Sequence, residues 1–189
     1  MHSTAPAAPP TRYFSTFELL LLGMLAALVV LANVALRLPV RMPGHSGIVW
    51  MAVLISARAI VPKFGAALAV ALFSATLAAL IGVGDKGALD TFLSYVAAGV
   101  GVDAVLAGSA RTAPALRCAL AGAAGNLAKL GMKVVLDIWI GIPTGFVLVG
   151  RLYPALTHGL FGVAGGYLGF VVVDALRRAG FFTYLAEKR

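Results

Sequence analysis

Six apolar stretches recur along the chain, each near the roughly 20 residues a helix needs to cross a bilayer, and glycine, proline or charged residues close each one. The pattern predicts helices over 17–36, 46–61, 64–83, 91–108, 116–142 and 155–176. The fifth is the exception to its own pattern. It reads LRCALAGAAGNLAKLGMKVVLDIWIGI and carries Asn126, Lys129, Lys133 and Asp137, spaced 3, 4 and 4. That spacing puts all of them on one face of a helix. A charge near the bilayer centre costs roughly 2.5–3.5 kcal/mol on insertion scales, so this face must look into protein, water or ligand. A purely structural reading pairs Lys133 with Asp137 at i,i+4. It leaves Asn126 and Lys129 unexplained.

Small residues mark other faces. Gly23 and Ala27 form a small-xxx-small pair in the first stretch, and Ala67, Ala71, Ala75 and Ala79 recur every four residues in the third. Such stripes let a helix approach another closely, in the same chain or in a partner. The last stretch has two overlapping GxxxG pairs, Gly162/Gly166 and Gly165/Gly169. Asn33, Tyr95 and His158 are the polar or amphipathic residues to watch in the remaining stretches. The first loop, RLPVRMPGHSG, carries Arg41 and His45 and has the composition of a lid.

Composition agrees with a membrane protein. The chain is 61% hydrophobic and 12% charged, against about 25% charged in a soluble domain. A net charge of +8 in 189 residues would suggest nucleic acid in a soluble chain. Here no nucleic-acid motif accompanies it, and the positive-inside rule accounts for it. With the N-terminus cytoplasmic, nine Lys and Arg fall on that side and four on the other, with Lys129 and Lys133 inside the membrane. The fold class expected is all-α: an integral membrane bundle of six transmembrane helices with both termini cytoplasmic, in the cell inner membrane. Residues 1–16 form a flexible tail, 17–178 the six-helix domain and 179–189 a cytoplasmic tail. The first stretch is too long for a signal-peptide core and is expected to be retained. The polar residues then gather toward the outside, which suits a pocket loaded from there. The single cysteine, Cys118, excludes an internal disulfide and a cysteine-based zinc site.

Gly44-His45-Ser46-Gly47 matches GxSG, and His158 opens an H-G-x-x-G run. Rhomboid intramembrane proteases pair a GxSG serine with a last-span histidine, but there the serine starts the fourth core helix. Ser46 starts the second, where an N-cap role is the simpler reading. No Walker A lysine motif or HExxH is present, so the chain has no ATPase of its own.

The architecture resembles the substrate-binding S components of energy-coupling factor (ECF) transporters. The first-loop string PGHSGIVWM, the turn GVGDKG and the closing run HGLFGVAGGYLGF are similar to that family, and Gly23-xxx-Ala27 stands where its first helix has Ala-xxx-Ala. The resemblance implies a vitamin or metal pocket open outward under the first loop. It also implies a small-residue face docked on a transmembrane coupling protein bound to two ATPase subunits. Nickel and cobalt members begin Met-His, as does Met1-His2, but the rest of that metal motif is missing and no metal site or cofactor is expected.

The reading is therefore a non-enzymatic capture subunit for a micronutrient. Its binding residues are expected to be Asn33, Arg41, His45, Tyr95, Asn126, Lys129, Lys133, Asp137 and His158, and its partner face Gly23, Ala27, Ala67, Ala71, Ala75 and Ala79. Lys129, Lys133 and Arg41 outnumber Asp137, which favours an anionic group on the ligand. The alternatives are a serine hydrolase using Ser46 and His158, and a small self-sufficient oligomeric carrier.

Overall fold

The computed structural model describes residues 13–35, 42–82, 87–109 and 111–187, with side chains as far as residue 185. Most of the N-terminal tail, including Met1-His2, lies outside the described residues, as do Arg41, Lys86 and the last two residues. The described residues form seven helices: α1 (Thr16–Ala35), α2 (Gly47–Ile60), α3 (Ala66–Leu80), α4 (Ala88–Val105), α5 (Ala115–Trp139), α6 (Thr144–Arg178) and the short α7 (Phe181–Glu187). α1, α4, α5 and α6 are long and apolar enough to cross a membrane. α2 and α3, with 14 and 15 residues, are shorter. The chain is a helical membrane bundle whose outer surface is rich in exposed Leu, Val and Phe.

Helices α1 to α6 alternate in direction. Lys63, before α3, pairs with Glu18 at the start of α1, and Lys133 of α5 pairs with Asp90 in the first turn of α4. The end of the bundle where α1, α3 and α5 begin is termed the base, and the opposite end the top.

α2 is the centre of the bundle. Every residue from Trp50 to Ile60 is buried, and the helix touches all five of its longer companions. α1 starts with a capping box: the Ser15 N–H donates to Glu18 Oε2 at 2.9 Å and the Glu18 N–H to Ser15 Oγ at 3.1 Å. α3 starts differently. Gly65 sits at φ +86°, and the cap comes from another helix, because Asp103 of α4 accepts the Leu68 N–H at 2.8 Å and the Ala67 N–H at 3.4 Å.

The glycines of α6 serve two neighbours. A Cβ on Gly166 would lie 2.2 Å from the Cys118 carbonyl oxygen, and one on Gly162 would lie 2.6 Å from that of Gly122, both in α5. A Cβ on Gly165 would meet Gly47 and Ile48 backbone oxygens, and one on Gly169 would meet Ile55, all in or beside α2. Each GxxxG pair thus seats α6 against a different helix at backbone distance.

α6 begins earlier than the hydropathy predicts. Arg151, Tyr153 and Pro154 were expected in a loop and instead lie inside a 35-residue helix, about 52 Å long at 1.5 Å per residue. Pro154 carries no N–H. The helix runs through it nonetheless, and His158 Nδ1 and Thr157 Oγ1 lie 2.8 and 3.1 Å from the Pro154 oxygen.

The alanine stripe of α3 is internal. Ala67, Ala71 and Ala75 are fully buried, and a Cβ on Gly99 of α4 would come within 2.7 Å of the Ala71 Cβ. For these three residues the expected partner face gives way to burial inside the bundle, with Ala67 and Ala71 lying against Gly99 of α4. Ala79 is half-buried. On α1 the surroundings are open: Ala27 is exposed and nothing lies within 4 Å of a Cβ placed on Gly23.

Candidate functional site

The polar residues of the top half come from five separate stretches of chain. Trp50, one turn into α2, packs edge-on against Tyr95 of α4, with ring centroids 4.3 Å apart. Lys129 of α5 sits beside both, its Nζ 5.3 Å from each ring centroid. An ammonium beside two aromatic rings is a favourable cation–π arrangement. Asn33 of α1 reaches the Tyr95 hydroxyl at 3.5 Å. A cavity of about 110 Å³ opens next to these groups, lined by Val29, Ala32, Asn33, His45, Ser46, Ile48, Val49 and Trp50. Trp50 is therefore shared between the cavity wall and the Lys129 contact. Its buried indole Nε1 has no hydrogen-bond partner.

The segment before α2 is pinned over the same region. Asn126, fully buried, donates from Nδ2 to the His158 carbonyl at 2.8 Å and to the Gly44 carbonyl at 3.4 Å. A Cβ on Gly47 would sit 2.3 Å from Asn126 Nδ2, and one on Gly44 would sit 2.7 Å from His158 Nδ1. Gly44 also has φ +82°, a conformation that favours glycine. Asn126 and His158 thus hold the segment 44–47 in place, while His45 and Ser46 turn to the cavity. His45 Nδ1 lies 2.8 Å from the Met42 carbonyl.

The remaining charges are arranged between helices. Lys133 meets Asp90 of α4 at 3.9 Å, and Asp137 pairs with Arg151 of α6. The i,i+4 spacing on α5 is therefore accompanied by partners from two different helices. Lys129, Lys133 and Arg151 face Asp90 and Asp137, an excess of positive charge among the described residues.

Of the expected binding residues, Asn33, His45, Tyr95 and Lys129 meet at the cavity or one contact away. Asn126 and His158 support the segment above it. Lys133 and Asp137 lie further along α5 in ion pairs, and Arg41 is outside the described residues. Trp50 was not singled out from the sequence, although it lies one turn from the GHSG string. Arg151 and Asp90 were read as loop charges. Ser46 takes the N-cap position of α2 without a side-chain capping bond, and His158 Nδ1 is engaged by the Pro154 carbonyl.

No protein-family model and no curated protein matches the sequence. A solved structure described as an S-component of an ECF transporter superposes on 93% of this chain and 95% of its own with a TM-score of 0.63, at 19% sequence identity. At that identity the likeness is one of fold, and the fold of this chain is that of an ECF-transporter S component.

Proposed function

We propose that the chain is the substrate-capture subunit of an ECF-type importer, taking up a vitamin or similar small, water-soluble nutrient that carries an anionic group. Its six helices α1 to α6 span the cytoplasmic membrane with the base inside and the top outside. The observation that carries this reading is the position of Lys129, whose ammonium faces Trp50 and Tyr95 where Trp50 also walls the cavity under the segment 44–47. A flat or apolar ligand body suits the rings, and its anionic group suits the ammonium. The fold match supports the class of machine. The exposed α1 face with Gly23 and Ala27 is the surface proposed for a transmembrane coupling protein, which would bring two ATPase subunits. Affinity purification of the tagged chain from its own membrane tests the assembly: a coupling protein and ATPases should co-purify, and recovery of the chain alone under mild solubilisation would count against it.

A further inference from the structure

The cavity at the top has a polar wall of its own, apart from the Lys129 contact. Asn33, His45 and Ser46 line it together with apolar side chains, Trp50 among them. All three polar residues are half-buried. None of Asn33 Oδ1, His45 Nε2 and Ser46 Oγ is sealed from solvent, so each has surface to offer a ligand. Each also has spare hydrogen-bonding capacity of a defined kind. The Asn33 amide donates from Nδ2 toward the Tyr95 hydroxyl at 3.5 Å, which leaves Oδ1 as an acceptor. His45 Nδ1 lies 2.8 Å from the Met42 carbonyl oxygen. A carbonyl can only accept, so Nδ1 carries the hydrogen and Nε2 of the neutral ring is an acceptor. Ser46 Oγ makes no capping bond to α2 and can accept or donate.

Two acceptors on this wall therefore require hydrogens from the ligand. The Ser46 hydroxyl and the second Asn33 Nδ2 hydrogen can answer a ligand carbonyl. The complement is a planar group with an N–H beside a C=O. No Asp, Glu, Lys or Arg lines the cavity. A charged group there would have no counterion on the wall, so this portion of the ligand is neutral. The volume of about 110 Å³ is well below the roughly 300–1,000 Å³ of a pocket for a whole small molecule, and suits a single ring. We infer that the cavity is a subsite for an uncharged head group of the lactam, ureide or amide kind, read by Asn33, His45 and Ser46. This rests on the capture reading proposed above and sharpens it. The nutrient carries such a head at the cavity and its anionic group at Lys129, with Trp50 bordering both.

The test uses the full chain in a neutral detergent and two fragments that differ in one hydrogen, pyrrolidone and N-methylpyrrolidone, with acetate as an anionic competitor. Saturation-transfer NMR titrations give the affinity of each fragment for the wild type, Asn33→Leu, His45→Phe and Arg178→Gln. All are matched for folded protein by thermal unfolding. Arg178→Gln, which removes one exposed charge away from the cavity, is the control. The wild type and Arg178→Gln should bind pyrrolidone at least about fivefold more tightly than N-methylpyrrolidone, the worth of one neutral hydrogen bond. Acetate should not displace it. In Asn33→Leu and His45→Phe the preference should shrink toward unity. The comparison of fragments on the wild type stands even where a variant fails to fold. Equal affinity of the wild type for the two fragments would overturn the inference, because apolar walls alone would then select the occupant. So would a lack of pyrrolidone binding, displacement by acetate, or a preference that survives undiminished in both folded variants. Neither an anionic nutrient nor a coupling protein enters this assay, so its failure is separate from a failure of the capture reading, which co-purification of the coupling protein tests.

Discussion

Arg58 and Asp103 face each other across the base of the bundle at 3.0 Å, with side chains 3% and 1% exposed. The pair joins α2 to α4, and Asp103 at the same time caps α3 through Leu68. Removing one member leaves the other charge buried, which typically costs about 3–5 kcal/mol. Arg58→Ala and Asp103→Ala should each lower the thermal unfolding midpoint strongly. Arg58→Met with Asp103→Leu should recover the part of the loss that comes from an unpaired buried charge, but not the cap on the Ala67 and Leu68 N–H groups, from which a leucine side chain cannot accept. A double variant as unstable as the sum of the singles would show that the two residues act independently.

Gly47 and Asn126 make a second tightly specified contact. An alanine at 47 would place its Cβ 2.3 Å from Asn126 Nδ2, and overpacking of this kind costs typically 1–3 kcal/mol. Gly47→Ala should therefore destabilise the chain and displace the segment 44–47 from the cavity. Asn126→Ala, made in the same chain, vacates the space. The expected result of a double-mutant cycle is positive coupling, read as a partial recovery of the unfolding midpoint in the double variant. Simple additivity would mean that the crowding is relieved in another way.

The small-residue stripes divide into internal and external ones, and substitutions should separate them. Ala71 is fully buried beside Gly99, so Ala71→Leu should destabilise the isolated chain. A Cβ at Gly23 meets nothing within 4 Å, so Gly23→Val should leave isolated folding and ligand binding intact while weakening assembly with the proposed coupling protein. Measuring unfolding and co-purification on both variants decides the assignment. A destabilised Gly23→Val would place that face inside the fold instead.

Much of this was legible in the chain because the signals are local. Hydropathy located each of the helices α1 to α6 to within a few residues at most ends, since apolar runs and their glycine, proline or charged ends are properties of adjacent residues. The face shared by Asn126, Lys129, Lys133 and Asp137 followed from spacing alone. What stayed hidden depends on residues far apart. Arg58 reads as a flanking cation near the end of a short helix, and only the approach of α4 reveals Asp103 as its partner. Trp50 looks like an ordinary apolar residue until Tyr95 and Lys129 are brought to it from α4 and α5. Arg151 was hidden by Pro154, which reads as a helix breaker and lies within α6, where side chains bind its carbonyl.

The pairing of Lys133 with Asp90 and of Asp137 with Arg151 alters what a charge swap should do. Exchanging Lys133 and Asp137 would preserve any i,i+4 attraction on α5. It would also set an aspartate against Asp90 and a lysine against Arg151. The swapped chain should be less stable than the wild type, by an amount readable in its unfolding midpoint. Reversing Asp90 and Arg151 in the same chain should restore part of that stability. A swap tolerated without loss would show that the contacts between helices contribute little.

The central claim is that Lys129, with Trp50 and Tyr95, forms the part of the site that holds an anionic nutrient. The direct measurement is untargeted mass spectrometry of small molecules released from the purified wild type and from Lys129→Met, prepared in parallel and matched for folded protein by thermal unfolding. Methionine keeps most of the side-chain length and removes the charge, and matching the folded fraction separates lost binding from any change in stability. The account predicts a water-soluble anionic compound enriched with the wild type and reduced at least about tenfold with Lys129→Met, equivalent to roughly 1.4 kcal/mol of binding. Retention of the same compound at the same level by a folded Lys129→Met variant would contradict it.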